Sequence, residues 1–266
     1  MISPALFSYE MKKSWKLLAI LAAVMTMYIT LIIGMFDPKT MAMLEQFQKS
    51  MPQMMAAVGM KGGMTTLIKF MISYLYGFIL ILFPLLFMMI RSYGLIGSYA
   101  DHGQLGCLLA APVTRGRIIR TQMLVLLSGL LLLFSYATTL EYIAAGRIQA
   151  GAVTLLMLLR LNGGLLCLQL ALGGVSFLMS CLMKEARLAV GLGCGLPLLF
   201  FVLHMLANQE DKLAYIGYLT PLTLFRPEAL ADGLAEGGRG ALILLALSFA
   251  LFAVSAIWFG RKEIEG

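Results

Sequence analysis

Six long apolar runs constrain this chain more than any other feature of its sequence. A helix needs roughly 20 mainly apolar residues to cross the hydrocarbon core of a bilayer. Irregular backbone is excluded from that core because its N–H and C=O groups would lack hydrogen-bond partners. The runs therefore predict an all-α membrane protein with six transmembrane helices at residues 17–36, 67–90, 121–142, 152–183, 187–206 and 240–259.

The fourth run is longer than a membrane crossing requires, and it carries two pairs of adjacent glycines. We expect this helix to be tilted, broken at a glycine pair, or extended past the bilayer on one side.

Charged residues are scarce and unevenly placed. They make up 12% of the chain, whereas soluble domains carry roughly a quarter. They lie in short strips between the apolar runs, none long enough to fold as a separate soluble domain. We therefore treat residues 1–266 as one transmembrane domain. Because the basic residues flank the runs, we interpret the net charge of +7 as a sign of topology and of contact with membrane lipid. We expect no nucleic-acid partner.

The distribution of Lys and Arg predicts the orientation. If the N-terminus is cytoplasmic, the strips on the cytoplasmic side hold an excess of basic residues, whereas the basic and acidic residues of the outer strips balance. The excess of Lys and Arg on the cytoplasmic side is the usual pattern in membrane proteins. We expect a multi-pass protein of the cell membrane (the cytoplasmic or inner membrane of a prokaryote) with both termini in the cytoplasm.

The strip before the first run mixes apolar, aromatic and basic residues. Such a composition is typical of a helix that lies in the membrane interface. We predict an interfacial lead-in helix over residues 2–16, whose membrane-surface residues are Tyr9, Lys12, Lys13, Trp15 and Lys16.

Residues 97–112, between the second and third runs, form a more elaborate strip than a simple connector needs. The strip contains an acidic residue, glycines, an apolar patch and a proline, and arginines follow it. It predicts a short amphipathic helix on the membrane face, with its polar end available to a partner; the alternative is a solvated loop. The candidate docking residues are Asp101, His102, Gly103, Leu105, Leu108, Leu109, Pro112 and Arg115.

Two outer segments carry patterns of their own. Residues 37–66 are rich in methionine, which favours an adaptable apolar surface; Cu(I) binding by thioethers is the less favoured alternative, because no His or Cys joins the cluster. Residues 207–239 contain a short apolar stretch between Pro221 and Pro227. The stretch cannot span a bilayer, so we predict a re-entrant-like segment before the last helix.

Two charged residues fall within the predicted spans. Arg160 lies near the outer end of the fourth run, and Glu141 lies at a compatible depth in the third. A charge within the membrane normally has a partner or an aqueous cavity. We predict an ion pair between the two; the alternative is that Arg160 extends to the outer headgroups.

The sequence contains no catalytic signature. Neither His102 nor His204 has a second ligand at a metal-site spacing, and no G-x-S-x-G motif occurs. The chain also has no G-x-x-x-x-G-K-[ST] phosphate loop, so it cannot bind ATP by that motif. We therefore predict no metal site, no catalytic residue and no cofactor bound by this chain.

The order of elements resembles the permease subunits of ABC transporters of the type-2 exporter class. The resemblance covers nearly the whole chain and rests on the basic lead-in FSYEMKKSWK, the six spans, the strip DHGQLGCLLAAPVTRGRII and the proline-containing segment before the last span. Only the strip is a local motif, and it departs from the family's frequent run of glutamates by having Asp101 followed by His102.

The resemblance implies a transmembrane exporter subunit that pairs with a second permease subunit, identical or related. Separate cytoplasmic ATPase subunits would bind ATP and Mg²⁺, and the strip 97–112 would be the coupling helix that docks on them. The few internal charges favour an amphiphilic, peptide or drug-like cargo. The rival interpretations are a secondary transporter driven by an ion gradient, which normally needs intramembrane carboxylates, and an intramembrane enzyme, which needs a nucleophile and a base within its spans.

Overall fold

The computed structural model describes residues 3–37, 51, 66–97, 114–149, 151–183, 185–208 and 214–261. This part of the chain is helical, and six of its helices are long and apolar enough to cross a membrane, as predicted. In chain order the elements are α1 (Pro4–Gly34), α2 (Leu67–Gly97), α3 (Arg115–Ile148), α4 (Leu155–Leu182), α5 (Ala186–Ala207), the short α6 (Ala214–Gly217), a 3₁₀ turn (Pro221–Leu224), the short α7 (Pro227–Ala231) and α8 (Ala235–Arg261).

The long helices run in alternate directions, so their connections lie at two ends of the bundle. We call the end with Ser3, Gly97 and Arg115 the N-terminal face, and the end with Gly34 and Ile148 the opposite face. The helices α2 and α4 are central: 61% of the most apolar window of each is buried, against 22% in α5 and α8. The outer helices therefore present apolar side chains to whatever surrounds the bundle.

The lead-in and the first span form one continuous helix rather than two elements. Helix α1 begins with Pro4 at its first turn and ends at Gly34. Proline is favoured at the first turn because the N–H that it lacks would be unpaired there anyway. No glycine or proline lies between these two residues, so nothing interrupts the hydrogen-bond ladder. The helix therefore continues from the polar strip into the apolar run.

Helix α4 is unbroken, so its glycines are not a break point. The side chain of Thr154 caps its first turn by accepting a hydrogen bond from the Met157 amide at 3.3 Å. A Cβ atom at Gly164 would collide with Leu230, and one at Gly173 would collide with Met88. These glycines are notches that let α7 and α2 approach the backbone of α4 closely.

Helix α2 departs from regular α-helix geometry in two places. Residues Ile72–Ile79 and Tyr93–Gly97 form π-helical turns, which are rare and frequently mark functional sites. Between them, the Gln169 side chain of α4 donates a hydrogen bond from Nε2 to the Ile81 carbonyl at 2.6 Å. Each π segment adjoins one of the two polar clusters of the next section.

The segment before α8 folds as three short elements packed on the bundle. Pro221 and Pro227 each begin one of them, and Gly233 at φ = 72° ends the turn after α7. Leu222 and Leu230 are buried; the 3₁₀ turn and α7 contact α4 and α8, and α6 contacts α5. The apolar stretch noted in the sequence thus packs against helices of the same chain.

Candidate functional sites

A buried ion pair joins α1 to α2 near the N-terminal face. Arg91 donates from Nη2 to Glu10 Oε2 at 2.8 Å and to the Glu10 carbonyl at 3.3 Å. The side chains are 6% and 0% exposed respectively, so each charge depends on protein groups rather than on water. The pair fixes the lead-in part of α1 against the last turns of α2.

A second contact joins α1 to α3 at the same face. The amide of Ser3 donates to Thr121 Oγ1 at 3.1 Å, and the Thr121 hydroxyl donates to the Arg117 carbonyl at 2.7 Å. Together with the ion pair, this contact makes the start of α1 a tie between the end of α2 and the first turns of α3. We call these two contacts the N-terminal clamp (Ser3, Glu10, Arg91 and Thr121).

The strip that was predicted to dock a partner runs between the two helices held by the clamp. Its residues Asp101, His102, Gly103, Leu105, Leu108, Leu109 and Pro112 lie outside the described residues. Arg115 is the first residue of α3, so the structure places the basic end of the motif at the N-terminal face.

The predicted interfacial residues of the lead-in lie on its outer side. Tyr9 is 59% exposed and Trp15 64%, and the lysines Lys12, Lys13 and Lys16 are exposed as well. Glu10 and Ser14, at helical spacing, face the bundle instead. Helical periodicity therefore divides this strip into a buried polar side and an outer basic and aromatic side.

A second polar cluster lies nearer the opposite face, around the fully buried carboxyl of Glu141. Tyr76 of α2 donates its hydroxyl to Glu141 Oε2 at 2.9 Å, and Asn162 of α4 donates Nδ2 to the same oxygen at 2.8 Å. We call Tyr76, Glu141 and Asn162 the carboxyl cluster. It connects three long helices through one carboxylate oxygen.

The predicted ion pair between Glu141 and Arg160 is not formed. Arg160 precedes Asn162 by two residues, a rotation of about 200° around a helix, so the two side chains leave α4 on opposite sides. Asn162 faces Glu141, whereas the Arg160 side chain is exposed and its guanidinium lies against Gly233. The spacing of Asn162 from the buried Leu158, Leu165 and Gln169 was the available signal for its inward position.

A cavity of about 390 Å³ adjoins the carboxyl cluster, a size within the usual range for small-molecule sites. It lies between the π-helical segment of α2, the end of α5 and the short elements before α8. Tyr76 belongs both to its wall and to the carboxyl cluster. The cavity has apolar and polar walls, including Ile72, Ser73, Tyr76, His204, Asn208, Thr223, Phe225, Arg226 and Glu228.

His204, which the sequence analysis treated as free of a metal role, is one of the residues on that wall. Among the described residues, no group of three or more His, Cys, Asp or Glu side chains is placed to hold a metal ion. The cavity and the carboxyl cluster therefore offer hydroxyl, amide, carboxyl and guanidinium groups for binding.

No protein-family model, curated protein or solved structure matches this chain.

Proposed function

We propose that this chain is the transmembrane subunit of an ATP-binding-cassette exporter. It works with cytoplasmic ATPase subunits, which bind ATP and Mg²⁺, and with a second permease subunit that is identical or related. The proposal starts from the resemblance of the sequence to type-2 exporter permeases. The structural observation that carries it is the N-terminal clamp.

The clamp supports the proposal because it joins the two helix ends between which the connector, residues 98–113, runs. The connector joins the end of α2 to the start of α3, and the clamp ties both helix ends to α1. A push that reaches these helix ends therefore moves three long helices together. Such an arrangement suits a subunit that receives force from a soluble motor.

The outer side of the lead-in supports a position at a membrane surface. Basic side chains near a cytoplasmic surface are attracted to anionic lipid by about 1 kcal/mol each. Lys12, Lys13 and Lys16 are exposed on α1, and Trp15 has the amphipathic ring typical of the interface. The lipid contact would keep the start of α1 in the membrane interface while the three helices move together.

The mixed walls of the cavity favour an amphiphilic, peptide or drug-like cargo. Ile72 and Phe225 offer apolar contacts, whereas Glu228 and Arg226, which is paired with Glu236, add charged groups. Sites of this kind bind an apolar body and orient it with a few polar groups.

A secondary transporter driven by an ion gradient is the second candidate, and one observation favours it. Glu141 is a carboxyl buried within a membrane-crossing helix, and such groups mark ion and proton pathways in many transporters. The two candidates differ in their energy source, which can be measured directly.

The decisive experiment reconstitutes the chain in proteoliposomes with a candidate soluble ATPase subunit from the same cell. Transport of a fluorescent amphiphile is followed with ATP, without ATP, and with an ionophore that collapses ion gradients. We expect transport that requires ATP and the ATPase and persists with the ionophore. Transport without the ATPase that stops with the ionophore would establish the second candidate instead.

Substitutions in the connector and at the start of α3 test the coupling itself. We expect Asp101→Ala and Arg115→Ala to reduce transport per ATP hydrolysed by at least several-fold, the scale of a coupling free energy of ~1–3 kcal/mol. Arg147→Ala is the matched control, because it removes the same charge from the other end of α3. Equal effects of Arg115→Ala and Arg147→Ala would contradict the docking role.

A further inference from the structure

The hydrogen bonds of the carboxyl cluster are unevenly distributed. Oε2 of Glu141 accepts from both Tyr76 and Asn162. The other oxygen, Oε1, is buried and has no hydrogen-bond partner among the described residues, and the same holds for Oδ1 of Asn162. The cluster therefore contains two buried acceptor atoms without a donor.

An ionised carboxylate would be unfavourable at this position. Glu141 is fully buried in a helix that crosses the membrane, where a charge normally needs an opposite charge beside it. Within the described part of the chain, no ion pair includes Glu141, and Arg160 leaves α4 on the side away from it. The two neutral donors of the cluster do not cancel a full negative charge.

We propose that Glu141 is protonated on Oε1. The resulting hydroxyl donates a hydrogen bond to Oδ1 of Asn162. The amide already donates Nδ2–H to Oε2, so the added proton closes a ring of two hydrogen bonds between the acid and the amide. On the edges that face each other, a neutral carboxyl and a primary amide each present one donor and one acceptor, so the two edges are complementary. One proton thus binds to Oε1, gives Oδ1 a hydrogen-bond donor and neutralises the buried charge.

The proton site lies beside the cavity. The hydroxyl of Tyr76 bonds Oε2, and Tyr76 also belongs to the cavity wall. Tyr76 therefore connects the carboxyl cluster to the cavity wall through its hydrogen bond to the second oxygen, Oε2. This assignment goes beyond the proposed export function and does not depend on it, since it concerns the isolated chain.

Infrared spectroscopy of the full chain in lipid nanodiscs at neutral pH tests the site. The spectrum of Glu141→Gln is subtracted from that of the wild type, in buffers with and without sodium. We expect the C=O stretching band of a protonated carboxyl in both buffers, with a shift in D₂O. A difference that contains only carboxylate bands would overturn the proposal. A band that appears only when sodium is absent would also overturn it, because the two oxygens would then hold the metal ion.

The position of the band tests the partners. Tyr76→Phe removes one of the two hydrogen bonds to Oε2, so the C=O bond strengthens and the band should move to higher frequency. Tyr74→Phe is the matched control in the same helix, because the Tyr74 ring packs on Phe70 instead. A band that responds equally to both substitutions, or to neither, would show that it does not arise from this cluster.

Thermal unfolding gives a readout independent of the spectrum. The amide of Glu141→Gln can donate to Asn162 Oδ1 in place of the proton, so we expect an unfolding temperature close to that of the wild type. Glu141→Leu leaves the amide of Asn162 unpaired and should unfold at a clearly lower temperature. If the glutamine variant lost as much as the leucine variant, Glu141 would not be neutral in the folded chain.

Discussion

Arg91 and Glu10 show how much a single buried charge pair contributes to this bundle. Their side chains are almost completely enclosed, so removal of Arg91 takes away a positive charge 2.8 Å from the buried Glu10 carboxylate. Losses of ~3–5 kcal/mol are typical in such cases. We expect Arg91→Ala to lower the free energy of unfolding by about this amount, measured by thermal or chemical unfolding in detergent micelles.

The exposed pair Arg226–Glu236 is the matched control for that experiment. Its N···O distance of 2.7 Å is similar, but its side chains are 57% and 68% exposed. Arg226→Ala should change the stability by only about 0–1 kcal/mol. The double substitution Glu10→Leu with Arg91→Met should recover most of the loss, because an apolar pair has no desolvation cost. Similar effects of Arg91→Ala and Arg226→Ala would contradict the importance of burial.

The sequence identified some of these residues but not their partners. Glu141 was recognised as an intramembrane carboxyl, and its partner was wrong because a difference of two positions on α4 reverses the direction of the side chain. Arg91 was not singled out in the sequence analysis, since its partner Glu10 lies 81 positions away. Spacing along one helix cannot show which helix packs beside it.

At the scale of elements, the contact between α8 and the 3₁₀ turn depends on a missing side chain. A Cβ atom at the buried Gly240 would collide with the backbone carbonyl of Leu224, which cannot rotate away as a side chain would. We expect Gly240→Ala to destabilise the protein by ~1–3 kcal/mol, as overpacking does. It should also weaken ligand binding, because the 3₁₀ turn supports one wall of the cavity.

Gly238→Ala is the control for that substitution. It lies in the same helix, and a Cβ atom there would have nothing within 4 Å. Because alanine favours a helix over glycine by up to ~1 kcal/mol, this variant should be neutral or slightly more stable. Unfolding temperatures of the two variants decide the matter, and a loss at position 238 equal to that at 240 would argue against the close contact.

The element boundaries were the least predictable part of the fold. The apolar runs gave the core of each long helix, because the thickness of a bilayer fixes its length. The helices nevertheless continue into the polar strips, as α3 does when it begins at Arg115. A helix ends at a capping or helix-breaking residue and not where the apolar run ends. Hydropathy therefore underestimates the length of such helices.

For the whole molecule, the distribution of Lys and Arg predicts which face is cytoplasmic. The prediction can be checked by labelling single cysteines in a cysteine-free variant with a membrane-impermeant thiol reagent. We expect Lys12→Cys, on the N-terminal face, to be labelled only in inverted vesicles. Asp232→Cys, exposed at the turn after α7, should be labelled in intact cells. The reverse pattern would place the connector 98–113 outside and would contradict docking of a cytoplasmic ATPase.

The arrangement of the six helices could not be derived from their composition. In a membrane protein the lipid-facing and core-facing sides of a helix are both apolar, so hydrophobicity does not distinguish a central helix from an outer one. The six helices have similar mean hydropathy, from 2.0 to 2.5, yet their buried shares differ almost threefold. The glycine notches at Gly164 and Gly173 were visible in the sequence, but the residues that fill them were not.

The unbroken course of α1 has a consequence for how displacement spreads. A helix of 31 residues is a rod about 45 Å long, and this one has no internal hinge. If its first turns tilt, the other end of the helix moves as well, because the helix tilts as one rigid body. A disturbance at one surface of the membrane would thus reach the other through a single rigid segment, without any relay of side chains.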